Sequence, residues 1–297
     1  MSAVAMASRL INVLLPSLAA ALLLLLAASG PANADELRSV KGLAAPESAV
    51  VAPDGRIFVS EIGEFGKDGD GQITVIGKSG NAEPFAKGLD DPKGLALSRN
   101  ALYVADKTRI WKIDLQGKAS VFVKAEDFPQ PPLFLNDLAL DRSGNLYVSD
   151  TGDIEKSGKG AIFRVTPAGK VSLVASEARE PAIKSPNGLL VESSGSLLVV
   201  DFASGELLRL DAAKGTVEKL AEGFGGGDGL ARDAAGMLYV SDWKNGRVWK
   251  LNLNKKGSKP EPYAQTFQAA ADITLSGDGK FIIVPDMKAG ALVWLPK

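Results

Sequence analysis

From Asp35 to Lys297 short aliphatic runs alternate with clusters of Gly, Asp, Asn, Ser, Lys and Pro. The breaks come too often for helices, and no long segment repeats with a 3.6-residue period, so the pattern predicts β-strands almost throughout. One phrase recurs: a short apolar run, a turn, then aliphatic-aromatic-Val-x-acid. Its six copies end at Glu61, Asp106, Asp150, Asp201, Asp242 and Asp286, spaced 45, 44, 51, 41 and 44 residues apart. Each unit reads as several strands; the second gives GLALS, ALYVAD, RIWKID and ASVFV between Gly94 and Val123. Pro53-Asp54-Gly55, Ser143-Gly144-Asn145 and Gly277-Asp278-Gly279 supply tight turns.

Repeats of this length built from short strands predict an all-β, six-bladed β-propeller with four-stranded blades. The last unit holds only three clear strands before the chain ends at Lys297. Glu36–Val40 is a strand candidate, and we expect it to close the last blade as its outer strand, removing an open edge.

Ahead of the repeats lies a different pattern. Arg9 is the only charge before Asp35, Leu10–Ser29 is apolar, and Ala32-Asn33-Ala34 supplies small residues at a cleavage position. This predicts a secretory signal peptide over residues 1–34, cleaved between Ala34 and Asp35, and a mature domain over 35–297. A membrane anchor is the competing reading, but Pro16 interrupts the run. The expected location is the periplasm or the exterior of the cell.

Composition then removes whole classes of chemistry. The chain has neither cysteine nor histidine. Disulfides, thiol nucleophiles, Ser-His-Asp triads and His-based zinc or haem sites are thereby excluded. A formal net charge of −1 gives no footprint for nucleic acid or anionic membrane. We expect a monomer acting on a small molecule at the channel mouth, with no nucleic-acid partner and no membrane association once the signal is removed.

The six units serve as an internal alignment. The terminal acids are alike in all of them, so they read as structural, capping the turn after the second strand or bonding the next blade. Fourteen residues before each acid stand Glu47, Asn136, Asn187, Asp228 and Asp272, and thirteen before Asp106 stands Lys93. All six precede the first strand of a unit, the strand nearest the axis. Glu47, Asn136, Asn187 and Asp228 would then converge at one end of the channel. Unpaired carboxylates there are costly, and a divalent cation relieves that cost. Oxygen-only ligation favours Ca²⁺ or another hard divalent cation over zinc.

Pro46-Glu47-Ser48, Leu135-Asn136-Asp137, Pro186-Asn187-Gly188 and Gly227-Asp228-Gly229 resemble the metal motifs of the gluconolactonase/senescence-marker-protein-30-like family. The diisopropyl-fluorophosphatase propellers have the same Glu, Asn, Asn, Asp order. The resemblance spans the mature chain and implies a Ca²⁺-dependent hydrolase of lactones or related esters. It also implies Asp228 as general base; from the residues, Asp272 is a second candidate. Sugar-lactone hydrolases carry arginine where this chain has Phe134. Phe134, Phe202, Trp243 and Met287 are expected near the mouth, and Lys93 faces it, to orient an anion or pair with Asp272. The alternatives are a non-enzymatic binding propeller with a structural metal and an organophosphate hydrolase. Paraoxonase-like and virginiamycin-lyase-like chemistry rests on histidine, which this chain lacks. Lys67–Gly71 reads as a hairpin turn, and Gly223–Gly229 as backbone passing close to the metal site.

Overall fold

The computed structural model describes residues 37–297. The predicted signal peptide and its cleavage point lie outside the described residues. Six four-stranded antiparallel sheets make up the domain, and the only helical element among the described residues is one 3-10 turn, Ala125–Asp127. No helix among them is long and apolar enough to cross a membrane.

Each of the first five blades is a meander that starts at the axis. The innermost strands are Pro46–Val51, Pro92–Leu97, Leu135–Leu140, Pro186–Val191 and Gly227–Arg232. The sixth blade begins with the two-residue strand Thr274–Leu275 and continues through Phe281–Asp286 and Ala291–Pro296. Its outer position is filled by Ser39–Lys41, which pairs with Ala291–Val293. The predicted closure is therefore the observed one, with the strand at Ser39–Lys41 where Glu36–Val40 was expected. It ties the start of the domain to its end and leaves Ala291–Pro296 paired on both sides.

The core consists of six apolar clusters, one between each pair of neighbouring blades. The reason lies in strand geometry: successive side chains point to opposite faces. Val199 packs toward blade three and Val200 toward blade five. Tyr147 and Val148 divide in the same way. The second strand of a blade is thus buried on both faces, which explains the unbroken apolar run before each terminal acid. Val59, Ile283, Leu292 and Trp294 form the cluster that seals blade six to blade one.

Candidate metal and substrate site at the channel mouth

Local structure first sets where the in-phase residues point. In each of the first five blades the pairing between the innermost and second strands slips over the same stretch: between Pro46 and Ala49, Pro92 and Leu95, Leu135 and Leu138, Pro186 and Leu189, and Gly227 and Leu230. Glu47, Lys93, Asn136, Asn187 and Asp228 sit inside these slips. A bulge adds a residue to one strand and re-aims its side chain. Five residues of unlike chemistry thus share one backbone presentation.

Hydrogen bonds hold that presentation in place. Asp150 accepts the N–H groups of Leu133 and Phe134 at 3.0 and 2.7 Å, Asp106 those of Asp90 and Asp91 at 3.0 and 2.7 Å, and Asp286 those of Gln268 and Ala269 at 2.9 Å each. Ser185 and Gly226 donate in the same way to Asp201 and Asp242. The terminal acids therefore clamp the loop leading into the innermost strand of their own blade, not a neighbouring blade. Several also cap the turn that follows, as Asp201 does for Ala203 and Ser204. Within the bulges, hydroxyls complete the work: Ser60, Ser149 and Ser241 accept the N–H of Ser48, Asp137 and Gly229 at 2.9, 2.8 and 2.7 Å.

Glu47, Asn136, Asn187 and Asp228 are all buried. Asn136 donates its amide nitrogen to Thr151 Oγ1 at 3.0 Å, which fixes which end of the amide is the oxygen. The Asn187 side chain is hydrogen-bonded to Asp228. Glu47 Oε2, Asn136 Oδ1 and Asp228 Oδ1 are buried and have no hydrogen-bond donor. Such atoms are costly to keep, and all three belong to the set expected to hold a cation; the one other buried side-chain atom without a partner among the described residues is a donor, Arg247 Nε. Burial raises the carboxyls of Glu47 and Asp228 well above their usual range, and neighbouring acids add to it: Asp228 and Asp272 around Glu47, and Asp272 around Asp228. Among the described residues no three acids gather as a metal cluster by themselves; two carboxylates and two amides would have to share the work.

Asp272 completes the ring from blade six. Its N–H donates to the Glu47 carbonyl at 2.9 Å, and its Oδ2 accepts from Ser48 Oγ at 2.5 Å. Burial lifts its pKa to about 7. Lys93 is buried, with 2 % of its surface exposed, so it is not a solvated lysine. Its ammonium donates to the Asp91 carbonyl at 3.1 Å and lies 4.2 Å from the Phe134 ring centre. Burial pulls its pKa down, while the charges of Glu47, Asp91 and Asp106 pull it up. The expected partner Asp272 is not among them; Glu47 is the axial acid that Lys93 serves.

The pattern of the sequence did not single out Asp137 or the bulge-capping serines. Asp137, one step past Asn136, is a fourth buried axial acid, raised well above its usual range by burial first and by Asp272 next. Its carboxylate accepts the N–H of Leu138 and, across the blade boundary, that of Leu189, both at 2.6 Å. The signal was present: the corresponding positions are Ser48, Gly94, Gly188, Gly229 and Ile273, so an acid there is the exception. The bulge-capping serines were likewise visible in the recurring Val-Ser-acid, absorbed there into the strand pattern. Glycine at all three of its positions has a steric cause: a Cβ at Gly94 would land on the Asp137 backbone and the Asn136 carbonyl. A Cβ at Gly188 would land on the Asp228 carbonyl, and one at Gly229 on the Asp272 carboxylate and the Ile273 N–H. Of the run Gly223–Gly229, only its last member therefore approaches the axis in this way; a Cβ at Gly225 would meet Asp242 and Asn245 instead.

The predicted rim residues fall into two groups. Phe134 lies beside Phe65, with ring centres 6.1 Å apart and Lys93 against both. Phe65 rides on the connection between Glu61 and Gly71, which is docked on blade two: Gly66 and Gly69 donate to Asp91 and Asp90, and Lys107 bonds Gly66 and Asp68. Lys67–Gly71 is thus part of a hairpin connection, as expected. Phe202 and Trp243 form the second group, ring centres 6.3 Å apart, with Trp243 Nε1 directed at Met287 Sδ at 3.3 Å. Their backbones hold them close to the ring: Phe202 N–H donates to Ser185 and Trp243 N–H to Gly226, each two residues before an axial residue. A separate cleft on the side of blade three, lined by Pro131, Leu133, Glu177 and Ala178, contains none of these residues.

Comparison with known proteins follows the same lines. Residues 98–280 match the profile of the SMP-30/Gluconolactonase/LRE-like region. Among curated proteins no sequence matches the chain. Among solved structures, virginiamycin B lyase from Staphylococcus aureus superposes with a TM-score of 0.58 at 15% identity, over 88% of this chain and 99% of the lyase. A catalytically inactive variant of that lyase with quinupristin gives 0.59 at 16%, over 88% and 99% of the two chains. At such identity the likeness is one of fold.

Proposed function

The chain belongs to the SMP-30/gluconolactonase/LRE-like family, and from that premise we propose that it is an exported, calcium-dependent hydrolase of a lactone or related ester. The observation that carries this reading is the set of buried oxygens without donors on Glu47, Asn136 and Asp228. These residues, with Asn187, would hold the ion; they are hard oxygen donors that carry two negative charges between them. Bound calcium would supply a Lewis acid for the scissile carbonyl.

The rest falls to the chain. Asn187 holds the Asp228 side chain from the neighbouring blade, and Gly188 leaves room for the Asp228 backbone. Asp228 takes a proton from water as the water oxygen bonds the carbonyl carbon. The bond from that carbon to the ring or alkoxy oxygen then breaks, and the departing oxygen takes up the proton. Asp272, held by Ser48 and with its pKa near 7, is the second candidate base. Lys93 offsets part of the negative charge without touching the orphaned oxygens.

The test is calorimetric titration of residues 35–297 with calcium, beside Asp228→Ala and Asp228→Asn, followed by turnover of lactones, aryl esters and phosphotriesters. Calcium binding that Asp228→Ala loses, with lactone or ester turnover that Asp228→Asn abolishes, is the expected result. Hydrolysis surviving in a calcium-loaded Asp228→Asn protein would remove Asp228 as the base. A phosphotriester preference would move the substrate class, and no calcium binding would sink the reading. Export is checked by the N-terminal sequence of protein recovered from the periplasm or medium, expected to begin at Asp35.

A further inference from the structure

The rim over blades four to six carries two cations that no acid claims. Lys244 and Lys288 are exposed, and among the described residues neither forms an ion pair with a carboxylate. The lysines across the rim behave differently: Lys67, on the connection of blade one, pairs with Glu64 and Asp70, and Lys107, in a turn of blade two, with Asp68 and Asp91. Each unclaimed ammonium is instead set over a ring, Lys244 at 4.3 Å from the centre of Phe202 and Lys288 at 4.3 Å from that of Trp243. Lys244 is seated there by the backbone. Its stem crosses Gly226 where a Cβ would collide with it, and its ammonium reaches the Phe202 carbonyl at 3.5 Å. Gly226 also accepts the Trp243 N–H and lies two residues before Asp228.

Cations lodged on two aromatic rings, which are tilted 56° to one another, suit a ligand that is itself apolar and anionic. Its apolar body can pack against Phe202, Trp243 and Met287, while its negative charge meets the ammonium groups already stationed there. Ser185 and Gly226, which hold the backbones of Phe202 and Trp243, lie two residues along the chain from Asn187 and Asp228, so a body packed on these rings stands beside the axial residues. A polyhydroxylated aldonolactone would gain little from such a surface. We propose that the substrate of this site is an ester or lactone bearing an apolar group and a carboxylate, with Phe202 and Trp243 as its apolar contacts and Lys244 and Lys288 as its charge readers. This inference rests on the hydrolase reading for the reacting bond, but not for binding.

The probes are 2-naphthoate, 2-naphthylmethanol and gluconate, titrated calorimetrically into residues 35–297 with calcium held constant. Two surface cations together favour the naphthoate over the alcohol by about 5- to 10-fold, and gluconate binds more weakly than either. Lys244→Gln with Lys288→Gln removes the carboxylate advantage and leaves the alcohol unchanged. Trp243→Ala weakens both naphthyl ligands. The inference is overturned if gluconate matches naphthoate, if neither naphthyl ligand binds, or if the double lysine substitution leaves the ratio intact. Because nothing is turned over, the same titrations on Asp228→Asn keep this result separate from the fate of the hydrolase mechanism.

Discussion

Removing metal and raising pH should destabilise this propeller, and the amount can be worked from one residue. Asp272 has its pKa raised from 3.8 to about 7 by burial at the axis. A group raised in the folded state binds more protons folded than unfolded, so stability is greatest at low pH and falls as pH climbs from about 4 through about 7. Three units at about 1.4 kcal/mol each come to roughly 4 kcal/mol. For a domain of this size that corresponds to a drop in Tm of about 8–16 °C. Glu47, Asp137 and Asp228 shift in the same direction. Lys93, lowered from 10.5, acts in the opposite sense but in an alkaline window. At the proposed site calcium would have to displace the protons it replaces. Its stabilisation is therefore near 2.7 kcal/mol at a hundredfold excess over Kd at pH 8, and much smaller at pH 5. The assay is thermal denaturation followed by circular dichroism, on metal-stripped and calcium-loaded protein at pH 5, 6.5 and 8. Asp272→Asn should flatten the metal-free profile. A metal-free Tm that stays level or rises from pH 5 to 8, or a calcium shift independent of pH, would refute the account of an uncompensated acidic ring.

Three further outcomes follow from the fold. Ser241→Ala strands the Gly229 N–H in a buried bulge beside Asp228 and should cost about 1–3 kcal/mol in urea denaturation, with calcium bound more weakly. Gly188→Ala drives a methyl group into the Asp228 carbonyl; it should cost at least 1–3 kcal/mol and weaken calcium binding more than Gly277→Ala, at a turn far from the axis. A chain beginning at Gly42 lacks the outer strand Ser39–Lys41, so Ala291–Pro296 becomes an open edge; a lowered Tm and concentration-dependent association by size-exclusion chromatography are expected.

The blades were legible because their two requirements act on different positions. Burial of the second strand on both faces demands an unbroken apolar run such as LLVVD, and clamping the lead-in loop demands an acid directly after it. The two together produce a phrase that survives drift in the rest of the unit. The outer strands carry no such demand. Thr216–Glu222 is half exposed and mostly polar, and the innermost strand of blade six shrinks to Thr274–Leu275. There the chain pairs backbone to backbone at Asp272 and Glu47 instead, which no side-chain pattern announces.

The site was legible for a related reason, and its limits follow from the same geometry. The bulge imposes one backbone shape on every blade, so whatever it presents at the axis is free to differ: a carboxylate in Glu47, an ammonium in Lys93, amides in Asn136 and Asn187. Counting back from the clamping acid finds these residues because clamp and bulge belong to one hydrogen-bonded unit. It reaches Asp137 but cannot give its role, because that carboxylate is spent on Leu138 and Leu189 and its place in the ring exists only once blades three and four are packed. Nor can it show that Lys93 lies under Phe134 and serves Glu47 rather than Asp272, since the partner depends on which blade stands next. Repetition thus discloses the positions, while the charges that meet there are decided between blades. A substitution at a bulge should be judged by what the neighbouring blade presents: Gly94→Ala presses on Asp137, and Gly229→Ala on Asp272, so equivalent changes in equivalent sequence should disturb different members of the acidic ring.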